Sequence, residues 1–299
     1  MMRTRRQAAL IIAARTAGCA FTLSPRSALT AVDAFDGLRE DFAALEAESG
    51  GRLGVAVVHS GSGGFAAHRA DERFPMCSTF KLLAAAAVLK RVDDGKETLD
   101  RRVKFSTSDL VPYSPVTKDH ADREGLTVGE LCAAAVTVSD NTAGNLVLAS
   151  LGGPQALTEY VRSLGDAVTR LDRIEPGLNE ALPDDPRDTT TPAAMAKNIQ
   201  ALMLGSALSE HGKQQLTAWL VGNKTGGTRL RAGLPAGWRV GDKTGSGECG
   251  TANDVGVAWP PQSPPILIAV YLTGTAANAE ARNRTIAAVG RAIAARLRG

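Results

Sequence analysis

Large flat side chains are scarce in this chain: 7 Phe, 3 Trp and 3 Tyr make up 4% of 299 residues. Alanine is abundant and there are 31 glycines, which points to closely packed helices rather than a β-sandwich. Among the 4 His and 4 Cys there is no HExxH and no Cys/His cluster, so no zinc site is expected, and no organic cofactor either. His59 and His68 flank a glycine-rich turn and read as surface residues. There is no internal repeat and no long low-complexity segment. The length fits one large domain or two modest ones, enough for a sizeable core.

The formal charge of +3 is concentrated at one end, because Arg3, Arg5, Arg6, Arg15 and Arg26 all precede the first acid, Asp33. Beyond them 29 basic residues face 31 acids, a near-neutral balance that argues against nucleic acid as a partner. The apolar run Ala8–Ala14 stops at Arg15, too short for a membrane span, and reads as part of an export signal covering residues 1–31. Two readings of this leader stay open. One is cleavage near Ala31 and release to the periplasm or medium. The other is lipid anchoring at Cys19, since Thr16-Ala17-Gly18-Cys19 resembles a lipoprotein site with Thr16 where leucine is expected.

Pro75-Met76-Cys77-Ser78-Thr79-Phe80-Lys81 opens a helix that is apolar nearly all round from Leu82 to Leu89, as a fully buried helix reads. Ser78 and Lys81, three apart, share a face. A lysine in low dielectric tends to lose its proton, and the free amine can activate a neighbouring hydroxyl. Alone, the pair is equally a helix cap followed by an exposed lysine.

Before it, Asp33–Glu48 shows helical spacing, and Leu53–Val58 with Phe65–His68 reads as a β-hairpin. After it come expected helices at Thr79–Asp94, Val128–Val136, Thr142–Leu151, Pro154–Leu164, Thr191–Leu204 and Ser209–Val221. Strands return at Trp238–Gly247, Ala252–Trp259 and Pro265–Leu272, and a helix over Ala277–Leu297 closes the chain. The expected class is therefore α+β. An antiparallel sheet built from both chain ends carries flanking helices, and a mostly helical lobe faces it across a cleft. Residues 32–299 form one domain, with an α/β lobe at 32–75 and 223–299 and a helical lobe at 76–222.

Three further stretches join Ser-x-x-Lys. Ser139-Asp140-Asn141 reads by itself as a helix cap, and Lys243-Thr244-Gly245 as an edge strand with a protective lysine. Arg173-Ile174-Glu175-Pro176-Gly177-Leu178-Asn179 opens a proline-rich loop running to Asp188. In this order, the serine, Ser-Asp-Asn and Lys-Thr-Gly motifs are those of serine β-lactamases and penicillin-binding proteins. With Glu175-x-x-Leu178-Asn179 added, the chain resembles a class A β-lactamase, of the penicillin-recognising serine enzymes, over about residues 33 to 298.

That resemblance implies β-lactam hydrolysis through an acyl-enzyme on Ser78. Lys81, or Glu175 through a water, acts as base for Ser78, Ser139 relays a proton, Glu175 directs the hydrolytic water, and Lys243 lowers the pKa of Lys81. The oxyanion hole falls to the backbone N–H groups of Ser78 and Ser246. Substrate contacts fall to Tyr113 at the cleft mouth, Asn141, Asn179, Arg229, Thr244 and Ser246. Arg173 and Asp188 close the neck of the loop as an ion pair, and Pro176 allows a cis peptide after Glu175. Ser246-Gly247 is similar to members that handle bulky oxyimino-cephalosporins. Where the carbapenem-hydrolysing branch pairs its cysteine before the nucleophile, the matching position here is Gly247, so no Cys77–Cys249 bridge is expected. Ala85 likewise replaces the partner Cys132 would need. The substrate is a small-molecule β-lactam and the expected working form a monomer. The rival readings are a D-alanyl-D-alanine carboxypeptidase and a β-lactam sensor that stays acylated at Ser78. Glu175 speaks against both.

Overall fold

The computed structural model describes residues 35–297, so the leader with Cys19 lies outside the described residues. Helix α1 (Leu38–Ser49) leads into strands β1 (Arg52–His59) and β2 (Phe65–His68). After β3 (Phe74–Pro75) the helical part follows: α2 (Phe80–Asp93), the short β4 (Arg102–Val103) and β5 (Leu126–Thr127), then α3 (Val128–Thr137), α4 (Asn141–Leu151) and α5 (Pro154–Ser163). β6 (Thr189–Thr190), α6 (Pro192–Met203), α7 (Glu210–Val221) and the one-turn α8 (Leu230–Gly233) complete it. The chain ends in β7 (Arg239–Gly247), β8 (Thr251–Trp259), β9 (Ile266–Thr273) and α9 (Ala279–Arg296).

The five long strands make one antiparallel sheet in the order β2-β1-β9-β8-β7. Its centre joins the two chain ends, since Val55 pairs with Val270. Alternation along the strands feeds two cores. Val55, Val57, Ile268 and Val270 face α1 and α9, whereas Ala56, Val255, Val257 and Ala269 face the helical part. Every residue of α2 from Phe80 to Leu89 is buried. Each large apolar side chain among them contributes about 1.5–3 kcal/mol, which makes α2 a fixed post.

Three details depart from the sequence expectations. Helix α1 begins at Leu38, because Gly37 takes a left-handed conformation, φ 78°, just before it, and the expected start at Asp33 lies outside the described residues. The serine does not sit in the first α-helical turn, since Cys77–Thr79 is a separate 3₁₀ turn and α2 starts at Phe80. Lys243 is on an edge strand, as expected, but is fully buried, because the Cys77–Thr79 turn packs on that edge. An added Cβ on Gly245 would lie 2.8 Å from the Met76 carbonyl, so glycine is what permits that approach.

Candidate active site

The turn bearing Ser78 is held from three sides. Thr79 Oγ1 donates to the Met76 carbonyl at 2.8 Å, and Asn253 Nδ2 on β8 donates to the carbonyls of Pro75 (2.9 Å) and Met76 (3.0 Å). Met76 N–H donates to the Asp188 carbonyl at 2.9 Å, tying this turn to the end of the Arg173–Asp188 loop. Helix α2 then carries Lys81 back over the serine. Lys81 Nζ lies 3.0 Å from Ser78 Oγ, 2.9 Å from the Ser139 carbonyl and 2.7 Å from Asn141 Oδ1.

Ser139-Asp140-Asn141 is both cap and site. Asp140 caps α4 through Ala143 N–H at 2.8 Å and also accepts from Val116 N–H, Thr117 N–H and Thr117 Oγ1. Ser139 adopts φ 61°, a left-handed conformation unusual for a non-glycine residue. Its Oγ stands 3.0 Å from Lys243 Nζ and 3.5 Å from Lys81 Nζ, between the two cations.

Glu175 comes from the loop. Its Oε1 accepts from Ser78 Oγ at 2.9 Å and pairs with Lys81 Nζ at 3.0 Å, while its Oε2 accepts from Asn179 Nδ2. The loop neck is closed by Arg173 Nε on Asp188 Oδ2 at 2.6 Å. Asp188 Oδ1 also accepts the N–H groups of Asp172 and Arg173, at 2.8 and 2.9 Å. The Glu175–Pro176 peptide is cis.

Burial governs the electrostatics. Lys81 and Glu175 are each 1% exposed and Lys243 is 0% exposed. Burial lowers the pKa of Lys81, and Glu175 offsets part of the fall. Burial likewise pushes Lys243 well below the ordinary lysine range, with the charge of Lys81 as the second cause.

The expected substrate contacts sit around this centre. Thr244 is buried with its hydroxyl on Thr225, and Ser246 is exposed at the end of β7. Arg229, 9% exposed, donates to Ser246 Oγ and to the carbonyls of Gly245 and Asn253, each at 2.7 Å. Asn141 Nδ2 donates to the Pro112 carbonyl at 2.9 Å, so both ends of its amide are occupied. Tyr113 is 61% exposed, and its carbonyl accepts from Asn141 N–H at 3.0 Å. Cys77 and Cys132 are buried and Cys249 is exposed, each unbridged. An added Cβ at Gly247 would fall 2.7 Å from Cys77 Sγ, so Gly247, not Cys249, is the position facing Cys77.

A family model described as the beta-lactamase enzyme family matches residues 37–297. The β-lactamase AST-1 of Nocardia asteroides is 51% identical over 291 residues, 95% of this chain and 94% of that protein. CTX-M-8 of Citrobacter amalonaticus is 49% identical over 256 residues, 86% and 88% of the two chains. A solved ancestral class A β-lactamase superposes with a TM-score of 0.85 at 63% identity, covering 86% of this chain and 98% of its own. The chain belongs to the class A β-lactamases.

Motif spacing missed one side chain of this β-lactamase. Asn145 Oδ1 accepts from Glu175 N–H, and its Nδ2 donates to the Glu175 carbonyl, both at 2.9 Å. The amide of Asn145 thereby grips the peptide on both sides of the carboxylate. The one signal in the sequence was its place four residues after Asn141, on the same face of α4.

Proposed function

We propose that this class A β-lactamase opens the amide of penicillins and cephalosporins through an acyl-enzyme on Ser78 and then hydrolyses that ester. The observation that carries this reading is the triangle of Ser78 Oγ, Lys81 Nζ and Glu175 Oε1, with sides of 2.9 to 3.0 Å. A hydroxyl that donates to a carboxylate and accepts from an amine has two groups able to take its proton.

As Ser78 Oγ bonds to the lactam carbon, its proton passes to Glu175 or, in the neutral form, to Lys81. The developing oxyanion is met by the N–H groups of Ser78 and Ser246. The ring C–N bond breaks, and the nitrogen takes a proton relayed by Ser139, whose Oγ lies between Lys81 and Lys243. Asn141 faces the substrate's side-chain amide. Thr244, Ser246 and Arg229 bind its carboxylate, and Tyr113 lines the mouth of the cleft. Glu175, positioned by Asn179 and Asn145, then takes a proton from water as that water attacks the ester; the bond to Ser78 Oγ breaks, and the proton returns to that oxygen from Glu175 directly or by way of Lys81.

A lasting acyl adduct, as in a sensor, would need a site without this base, yet the carboxylate of Glu175 stands 2.9 Å from the serine oxygen. We further take residues 32–299 as one monomeric working unit exported under the leader. The test is turnover of a chromogenic cephalosporin. Wild type should hydrolyse it and Ser78→Ala should not. Undiminished turnover by Ser78→Ala would refute the reading. Fractionation of cells making the full chain, with Cys19→Ala in parallel, decides between soluble export and a lipid anchor.

A further inference from the structure

The rear of strand β7 holds two buried carboxylates that the mechanism does not use. Residues of β7 alternate, so Lys243 points toward Ser139 and Asp242 lies on the opposite face of the strand, the face that also carries Thr244 and Ser246. Asp254 on β8 is paired in register with Thr244, which places it beside Asp242 on that rear face, and both acids are 0% exposed. Asp242 Oδ1 accepts from Arg231 Nε at 2.6 Å, and Oδ2 from Asn223 Nδ2 at 2.9 Å. Asp254 Oδ2 accepts from Leu230 N–H at 3.0 Å, and its Oδ1 is buried with no donor.

Together the two acids hold residues 223–231 at both ends, and Arg229 is the residue just before the N–H that Asp254 binds. The guanidinium of Arg229 spends its N–H groups on Gly245, Asn253, Ser246 and Asn283, not on a carboxylate. Among the described residues Arg231 is the one cation bonded to the acid pair. Two ionised carboxylates side by side with one bonded cation would leave a charge out of water.

We propose that Asp254 is a positioning residue for substrate carboxylate recognition: it carries a proton, donates it to Asp242, and the singly charged pair fixes the segment that holds Arg229 against Ser246. This rests on the reading of Arg229 and Ser246 as the carboxylate contact. The groups acting on the pair are Asp242 from β7, Arg229 and Arg231 from the segment entering α8, and, through Arg229, Arg282 from α9. Burial, with Asp242 next to it, raises the pKa of Asp254 well above the usual aspartate value, and Arg229 offsets part of the rise.

The test couples a direct readout of the proton with kinetics. The infrared difference between wild type and Asp254→Asn at neutral pH should contain the carbonyl band of one buried protonated carboxyl, lost as pH rises. Its absence overturns the proposal whatever the kinetics show. Asp254→Ala should raise KM for a carboxylate-bearing β-lactam about tenfold, the scale of one lost charge-assisted hydrogen bond, with a smaller change in kcat. Asp254→Asn, a neutral side chain that still has a donor, should recover most of that loss and remove the alkaline rise in KM that the proposal predicts for wild type. Equal defects in the Ala and Asn variants would show that a carboxylate is required there and would overturn the proposal. Arg229→Ala, measured alongside, isolates the underlying reading. If its KM is unchanged, Arg229 is not the carboxylate contact, and the infrared result still decides the proton.

Discussion

The two halves of this active site are held by different forces. Ser78, Lys81, Ser139 and Lys243, the half we assign to acylation, sit on or beside α2, α4 and β7, and an unbroken apolar run from Leu82 to Leu89 backs them. Glu175, the half we assign to hydrolysis, hangs on the Arg173–Asp188 loop, whose regular structure is one 3₁₀ turn, Gly177–Asn179. Its place is set by polar contacts: Asn145 on its backbone, Asn179 on its carboxylate and Asp188 at the neck. Apolar packing resists single changes of charge. A polar net is as good as its weakest buried donor. Substitutions should therefore separate the two halves, slowing formation of the adduct on one side and its breakdown on the other.

The largest effect is expected from Lys81→Met, which should slow acylation by about 10²–10⁴-fold, the usual scale of acid–base catalysis. Rapid-mixing kinetics with benzylpenicillin would check it, and acylation at the wild-type rate would remove Lys81 from the chemistry. Next, Asp188→Ala leaves Arg173 and two backbone N–H groups without their buried partner. A loss of about 3 kcal/mol in urea unfolding is expected, with deacylation falling more than acylation. Asn145→Ala removes both hydrogen bonds on the Glu175 peptide and should slow deacylation about tenfold while acylation holds. Equal slowing of both steps would mean that Asn145 supports the fold of α4 rather than the carboxylate.

The smallest effect concerns Lys243, whose Nζ bonds Ser139 Oγ and the Thr244 carbonyl with no acid among its direct partners. Because burial holds its folded pKa well below the ordinary lysine value, the unfolded chain binds more protons between those two values. Stability should then rise with pH across that window, and the charged lysine is a cost at neutral pH. Lys243→Met should raise stability by about 1 kcal/mol near pH 7 and flatten that slope, although activity falls. Lys81→Met should bring no such gain, because it strands Glu175. Thermal melts of both variants from pH 6 to 10 would distinguish them.

What the chain disclosed beforehand follows the same division. The buried helix α2, the antiparallel sheet built from both chain ends and the four motifs were legible because each rests on a local pattern, a period or a spacing. The beginning of α1 was not, since periodicity runs through Gly37 while its left-handed backbone stops the helix. Strands β3 and β6 are two residues long, too short for any alternation to register. Taken by itself, the motif leaves Lys243 as a protective lysine on an edge strand, and only the resemblance places it in the site, because nothing in its neighbours reveals that the Cys77–Thr79 turn covers that edge. Asn145 escaped because its partner is a backbone 30 positions away, which leaves no side-chain pattern to find. Asp140 was legible as a cap but not as the anchor of Val116 and Thr117.

The most direct test of the division is the intact mass of the protein over time after mixing with benzylpenicillin, for wild type and Glu175→Ala in parallel. Wild type should show at most a fleeting adduct while the drug disappears. Glu175→Ala should acquire one penicilloyl mass at Ser78 and keep it, provided Lys81 can still activate the serine. A lasting adduct on wild type, or fast clearance by Glu175→Ala, would contradict the assignment of hydrolysis to the loop.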